Sequence, residues 1–133
     1  MAEEFKMQSF SRSVDMALIH RIQEGFPTAV AESLLKHKTL TRQELYKFIP
    51  PRTWARRVKE HRLSPEESDR LAIVERIARF ADDVFGDKDK AYAWLRRPNR
   101  SLENQTPLNL LHSEMGTRLV ETLLERIQHG IYS

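Results

Sequence analysis

A dense group of basic side chains is the feature of this sequence with the clearest chemistry. Glu60 is the only acid among eleven consecutive residues that hold five cations: Arg52, Arg56, Arg57, Lys59 and Arg62. Cations at this density are typical of a surface that binds phosphate groups. A solvated helix face has the same composition, so charge alone leaves both interpretations open.

The rest of the composition limits the class of protein. Residues 1–63 carry a net charge of +5 and residues 64–133 a net charge of −2, within a total of +3. The absence of cysteine excludes disulfides, thiolate metal sites and iron–sulfur clusters, and it fits a reducing compartment. No apolar run approaches the roughly 20 residues that span a bilayer, and the acidic N-terminus does not resemble a signal peptide. We therefore expect a cytoplasmic protein without a membrane partner.

Catalytic signatures are missing from the chain. It contains no glycine-rich phosphate loop, no H-E-x-x-H and no G-x-S-x-G. Glu121, Glu125 and His129 recur every four residues on one predicted helix face and are the best candidates for a metal site. No second helix offers obvious further ligands, so a solvated face is favoured. We expect no enzyme activity, no catalytic residue, no metal and no cofactor.

The elements that position these side chains are predicted to be helices, because caps and breakers bound almost every segment. Thr41 with Glu44, and Ser64 with Glu67, match the capping box. No segment shows convincing β alternation. The sequence predicts an all-α fold of about eight helices: residues 14–24 capped by Ser13, 27–36, 41–48, 51–61, 65–85, 87–96, a short helix after Pro107, and 113–128 capped by Ser113.

Two of these helices, 41–48 and 51–61, form a helix-turn-helix candidate around the connection Ile49-Pro50. In that motif the second helix enters the major groove of DNA and presents its N-terminal side chains to base edges. Trp54 and Val58 are expected to turn inward to the core. The predicted DNA face is Arg52, Thr53 and Arg56, flanked by Arg57 and Lys59 for phosphate contacts.

Residues 40–133 resemble a known family. The run from Arg52 to Leu71, R-T-W-A-R-R-V-K-E-H-R-L-S-P-E-E-S-D-R-L, looks like the junction of the Xre/MbcA/ParS-type antitoxins, which pair with RES-domain toxins. Further positions follow in the order of that family: Trp94-Leu95, Pro98-Asn99, Leu102, Thr106-Pro107, Leu110-Leu111, Gly116, Val120, Leu123, Ile127 and Gly130. The chain departs from the pattern at Asn104, where the family usually has glycine. Asparagine tolerates positive φ well among non-glycine residues, so we expect the loop geometry to survive.

The resemblance implies a bacterial antitoxin with two modules. An Xre-like helix-turn-helix region, residues 1–63, would bind the operator of its own operon, and a toxin-binding domain, residues 64–133, would bind the RES toxin. Such toxins resemble ADP-ribosyltransferases and act on NAD, and the antitoxin blocks the toxin active site with its C-terminal end. The predicted toxin-binding residues are therefore Ile131, Tyr132 and Ser133 with its free carboxylate. Gly116 is expected to permit close helix packing.

The last helix and helix 65–85 raise two further expectations. The core stripe of the last helix is predicted to be Leu119, Val120, Leu123, Leu124 and Ile127. Ile73 and Phe80 lie off the main apolar stripe of helix 65–85, which suggests a homodimer. The alternative function is a plain helix-turn-helix transcriptional regulator whose C-terminal half only dimerises; a small helical enzyme is the third and weakest interpretation.

Overall fold

The computed structural model describes residues 14–130. Two 3₁₀ helices, Arg100–Leu102 and Leu108–His112, precede the last of seven α-helices, which we number α1 to α7: Met16–Glu24, Thr28–Lys36, Arg42–Phe48, Pro51–Glu60, Pro65–Phe85, Lys88–Arg96 and Glu114–Gln128. The described residues form no β-strand, so the predicted all-α class is confirmed. The short helix predicted after Pro107, the seventh of the eight in chain order, is a 3₁₀ helix instead.

The chain divides into two compact units. The first runs to Glu75 and the second begins at Arg76, so α5 supplies residues to both. The sequence places the domain boundary earlier, between residues 63 and 64, and that boundary stays a prediction.

Capping side chains fix where most helices begin, as the sequence predicts. Helices α3, α5, α6 and α7 start behind caps that accept hydrogen bonds from backbone N–H groups: Thr41 with Glu44, Ser64 with Glu67, Asp87, and Ser113. Helix α1 differs, because Asp15 accepts a hydrogen bond from the N–H of Leu18 at 2.9 Å and the helix begins at Met16. The predicted start at residue 14 is therefore wrong by two residues, and Ser13 lies outside the described residues.

Segments distant in sequence close the first unit. The backbone N–H of Leu63 donates to the carbonyl of Phe26 at 2.8 Å, and the N–H of Phe26 donates to the hydroxyl of Ser68 at 2.7 Å. All three residues are buried. Gly25 lies beside them with φ +89°, and a Cβ at this position would stand 2.3 Å from the carbonyl oxygen of Leu63. This closure, which we call the clasp (residues 25–28 against 61–68), requires glycine at that position.

A closed loop in the second unit, residues 99–105, follows α6 and contains the first 3₁₀ helix. The N–H of Asn99 donates to the carbonyl of Gln105 at 3.0 Å, and the N–H of Asn104 donates to the carbonyl of Asn99 at 2.8 Å. Asn104 has φ +66°, so it adopts the left-handed conformation expected for the position. Farther along, a Cβ on Gly116 would stand 2.1 Å from the carbonyl oxygen of Leu110, which confirms that this glycine permits close packing.

Three predicted core assignments need correction. Val58 is 36% exposed rather than turned inward, whereas Trp54 is buried as predicted. Leu119 is 50% exposed, because α7 buries Val120 and successive helical residues are rotated by about 100° from each other. Phe80 is buried within the chain, so of the two residues used to argue for a dimer only Ile73 is partly exposed.

Candidate functional site

Helix α4 lies where a recognition helix is expected. Helix α3 ends at Phe48, and Pro51 occupies the first turn of α4, so only Ile49 and Pro50 connect them. Proline suits positions 50 and 51, the N-cap and the first residue of α4, because neither needs a backbone N–H donor. Ile49 and Trp54 are buried and hold the pair of helices on the core. The outer face of α4 is thereby left to its polar side chains.

The predicted DNA-binding residues fall into two groups in the structure. Arg52, Arg56 and Lys59 are exposed, and none of them forms an ion pair with any residue between 14 and 130; Thr53 is half-buried beside them. Three cations free of acidic partners within the described chain are well suited to phosphate groups. The fifth residue, Arg57, is in a different environment. Its predicted phosphate contact stays a prediction.

Arg57 is held by two carboxylates. Its Nε donates to Oε1 of Glu67 at 2.8 Å and its Nη2 donates to Oε2 at 3.1 Å, so the guanidinium and the carboxylate are joined by two bonds. Its Nη1 donates to Oε1 of Glu60 at 3.3 Å. The side chains of Arg57 and Glu67 are only 19% and 13% exposed. This pair, which we call the Arg57–Glu67 clamp, connects α4 to the first turn of α5.

Glu67 of the clamp also takes part in the N-cap of α5. Oε1 of Glu67 accepts the backbone N–H of Ser64 at 2.9 Å, in addition to the Arg57 Nε–H. Partial burial acts to raise the pKa of Glu67, but the hydrogen bonds from Arg57 and Ser64 lower the pKa below its ordinary value. The hydrogen bonds to Glu67 raise the pKa of Arg57. Both side chains are therefore charged at neutral pH.

In the second unit, α7 exposes apolar side chains. Thr117, Val120 and Leu124 face the core and are buried. On the opposite side Met115 is 74% exposed and Leu119 is 50% exposed. These two residues are four apart, so they lie next to each other on the helix surface. We call them the α7 apolar face.

Charged residues around the α7 apolar face are partly paired. Nη2 of Arg118 lies 3.9 Å from Oε2 of Glu114 on the exposed side of the helix. Glu121, one of the three residues weighed as metal ligands, forms an ion pair with Arg76. Between residues 14 and 130, no three His, Asp or Glu side chains are grouped so that they could hold a metal ion.

The predicted toxin-binding residues lie beyond the described part of the chain. Helix α7 ends at Gln128, and Gly130 follows with φ +72°, the conformation that commonly stops a helix. Ile131, Tyr132 and Ser133 come next and lie outside the described residues.

Two models of known protein domains match successive parts of the chain. Residues 17–72 match the antitoxin Xre-like helix-turn-helix domain, and residues 80–130 match the antitoxin Xre/MbcA/ParS C-terminal toxin-binding domain. A curated protein named antitoxin Xre, from Yersinia enterocolitica, is 35% identical over 87% of this chain and 81% of its own length. The chain belongs to the Xre antitoxin family. Antitoxin Xre of Photorhabdus laumondii is 34% identical over 84% of this chain and 78% of its own length.

A solved structure shares the fold of this Xre-family antitoxin. A chain in the crystal structure of the M. tuberculosis MbcT–MbcA toxin–antitoxin complex superposes with a TM-score of 0.59 at 24% identity, covering 80% of this chain and 96% of that chain. The helix-turn-helix match contains α1 to α4 and the first turns of α5, and the toxin-binding match contains the α7 apolar face. Among the residues that the structure describes, no helix is both long enough and apolar enough to cross a membrane.

Sequence reasoning missed two features of these surfaces. The Arg57–Glu67 pair joins different helices, so no helical spacing rule connects the two residues. The bond from Arg57 to Glu60 was accessible, because residues three apart are neighbours on a helix. The α7 apolar face is not evident from the sequence, because Leu119 fits the apolar stripe predicted for the core although it is 50% exposed.

Proposed function

We propose that this antitoxin neutralises a RES-domain toxin, an NAD-consuming enzyme, and represses its own operon by binding operator DNA. The first unit carries the DNA contact, the second holds the toxin, and the C-terminal residues close the toxin active site. Support comes from the antitoxin family, from the sequence resemblance to partners of RES toxins, and from two exposed helix faces of opposite chemistry.

The α7 apolar face is the observation that carries toxin binding. Met115 and Leu119 are among the most exposed large apolar side chains of the described residues, and they lie within the match to the toxin-binding domain. Exposed methionine and leucine side by side are suited to a protein surface, since burying apolar area stabilises a complex. Leu119 lies about 14 Å along the helix axis from Gln128, so one toxin can contact both this face and the C-terminal residues.

The C-terminal residues are proposed to inhibit rather than to bind. Three extended residues reach about 10 Å, which is enough to enter an enzyme cleft. Ile131 and Tyr132 would supply apolar and aromatic contact in that cleft.

Deleting Ile131–Ser133 tests this separation of roles. We expect the truncated antitoxin to stay bound to the toxin in a pull-down while NAD consumption returns. A truncated protein that still inhibits completely would show that the helical body closes the active site. A wild-type protein that neither binds nor inhibits a co-expressed RES-domain toxin would overturn the proposal and favour the plain transcriptional regulator.

Arg52, Thr53, Arg56 and Lys59 are proposed to contact the operator. Arg52, Thr53 and Arg56 lie near the N-terminus of α4, where side chains reach base edges, and Lys59 lies one turn after Arg56 and meets phosphate. Replacing Arg56 with alanine should reduce the preference for operator over unrelated DNA. Replacing Lys59 with alanine should weaken binding to every sequence and reduce the salt slope by about 0.9. Lys90→Ala, an exposed change in the second unit, is the control; equal affinities of all three variants would contradict the assignment.

We also propose that a homodimer binds the operator, because helix-turn-helix proteins commonly span two half-sites about one turn of DNA apart. Sedimentation of the free protein at micromolar concentration should show a species heavier than the 15.7 kDa monomer. A single 15.7 kDa species of the free protein at this concentration would contradict a dimer.

A further inference from the structure

In the Arg57–Glu67 clamp, most of the hydrogen-bond donors of Arg57 are already used within the protein. Two of its guanidinium nitrogens donate to Glu67 and a third faces Glu60. One cation therefore faces two carboxylates, and the group as a whole is negatively charged. To bind a phosphate, the guanidinium would have to leave a bidentate pair that is mostly shielded from water. These contacts favour a role for Arg57 inside the protein over a contact with DNA.

The position of the clamp shows what it can control. Arg57 lies in the last turn of α4, on the helix that also carries Arg52 and Arg56, and Glu67 lies in the first turn of α5. Glu67 is fixed in turn by the backbone N–H of Ser64. A planar guanidinium bonded through two nitrogens restrains rotation as well as distance. Together with the buried Trp54, the clamp therefore restrains the rotation of α4 about its own axis, and with it the direction in which Arg52 and Arg56 point.

We infer that Glu67 is a positioning residue for operator binding: through Arg57 it orients the recognition helix, although neither side chain of the clamp meets DNA. The inference rests on the proposed DNA-binding function of α4. It assigns Arg57 to positioning, in place of the phosphate contact that the sequence suggests.

Electrostatics and positioning predict opposite results at Glu67. The change Glu67→Gln removes a negative charge from a DNA-binding surface, so charge alone predicts tighter binding at low salt. Loss of positioning predicts weaker binding to the operator, by about tenfold, and little change in binding to unrelated DNA. That contrast arises because base contacts need orientation, whereas non-specific binding is governed by charge. The neighbouring exposed residue offers a matched control, Glu66→Gln, with the same change of charge and no clamp.

Salt dependence distinguishes the two roles of Arg57. If Arg57 meets a phosphate, Arg57→Ala should reduce the slope of log K against log salt by about 0.9. If it positions α4, the same variant should lose about tenfold in operator affinity with the slope unchanged. The two single losses should also not add up, because either change breaks the same clamp.

The experiment measures operator and unrelated-DNA affinity of the full chain at several salt concentrations. The variants are Glu67→Gln, Glu66→Gln, Arg57→Ala, the double change Arg57→Ala with Glu67→Gln, and the exchanged pair Arg57→Glu with Glu67→Arg. We expect loss of operator preference in the first, third and fourth and partial recovery in the exchanged pair. Binding of Glu67→Gln as tight as that of Glu66→Gln would overturn the inference while leaving the proposed function intact.

Failure of the wild-type chain to bind any operator fragment would instead overturn the proposed function, and the inference with it. Circular dichroism melts and toxin pull-downs accompany each variant. Should Glu67→Gln be unfolded at the assay temperature, the exchanged pair decides: a folded exchanged pair without operator preference counts against positioning by the clamp.

Discussion

Helices α4 and α7 are both amphipathic surface helices, yet their outer faces have opposite chemistry. The outer face of α4 carries Arg52, Arg56 and Lys59, which form no ion pair within residues 14–130. The outer face of α7 carries Met115 and Leu119. Isolated cations gain most from a polyanion, whereas adjacent apolar side chains gain most from another protein. The exposed side of each helix, rather than its buried side, therefore indicates the class of partner.

The inner sides of the two units share one device, a glycine under a backbone carbonyl. A Cβ on Gly25 would stand 2.3 Å from the oxygen of Leu63, and one on Gly116 would stand 2.1 Å from that of Leu110. Backbone oxygens cannot move aside as a flexible side chain does. Substituting one of these glycines should therefore destabilise the unit that contains it and leave the other unit unchanged.

The largest expected effect comes from Gly25→Ala and Gly116→Ala, each costing about 2 to 4 kcal/mol of unfolding free energy from overpacking, with added φ strain at Gly25. We expect Gly25→Ala to reduce operator binding more than toxin binding, and Gly116→Ala to do the reverse. Gly86→Ala is the control for Gly25→Ala, because Gly86 has a similar left-handed conformation at φ +66° but its Cβ would meet nothing within 4 Å, so the variant measures backbone strain without overpacking. Equal loss of both activities in both variants would break the comparison between the units.

Charging the α7 apolar face should produce the next largest effect. Replacing Leu119 with glutamate should weaken toxin binding about 100-fold, which corresponds to about 2.7 kcal/mol, because a charge would be buried against the partner. Operator affinity should not change. Met16→Glu, a similarly exposed position in the first unit, is the control for adding an acid to an apolar site. Unchanged toxin affinity, measured by calorimetry, would show that this face does not contact the toxin.

Asn104 should give a smaller effect confined to the second unit. Its φ of +66° favours glycine or asparagine, so Asn104→Ala should lower the unfolding free energy by about 1 kcal/mol. Asn104→Gly, which restores the usual residue of the family, should be neutral within about 0.5 kcal/mol. Denaturant unfolding measures both. A neutral alanine variant would contradict the left-handed conformation of this residue.

The smallest expected effect is a pH dependence of stability in the first unit. The pKa of Glu67 lies below the ordinary value of 4.5 in the folded chain, so the unfolded chain binds a proton first as the pH falls. The stabilisation from this carboxylate is therefore complete well above pH 4.5 and disappears as the pH falls through the lower folded-state pKa. We expect less than about 1 kcal/mol. Melting curves should lose this component in Glu67→Gln but keep it in Glu66→Gln; identical curves for both variants would contradict the role of Glu67.

Local signals in the sequence predict the elements well, because caps act over three or four residues. Thr41 with Glu44 and Ser64 with Glu67 mark the beginnings of α3 and α5 as the structure has them. The beginning of α1 is less evident, since Ser13 and Asp15 are both residue types that cap helices; in the structure Asp15 accepts the hydrogen bond from the N–H of Leu18.

Orientation around a helix axis is less accessible from the sequence. Leu119 and Val120 are adjacent and both are apolar, and no feature of the local sequence decides which of them faces the core. The partner of Arg57 was equally hidden, because Glu67 lies on the next helix and already had a local role in the capping box. The cationic face of α4 can be predicted from the sequence because it depends only on the composition of one helix. The α7 apolar face and the clamp depend on tertiary packing.

The clasp sets the order in which the first unit can be completed during synthesis. The backbone N–H of Phe26 donates to the hydroxyl of Ser68, which is synthesised after the helix-turn-helix. The clasp is therefore still incomplete when the last residue of the helix-turn-helix leaves the ribosome. The nascent chain must first extend into α5, and until then the backbone N–H of Phe26 lacks the hydroxyl of Ser68 as its acceptor. A fragment ending at Leu63 would stay in that unfinished state and be open to proteases. A fragment that continues to Glu75 would include Ser68 and could form the clasp.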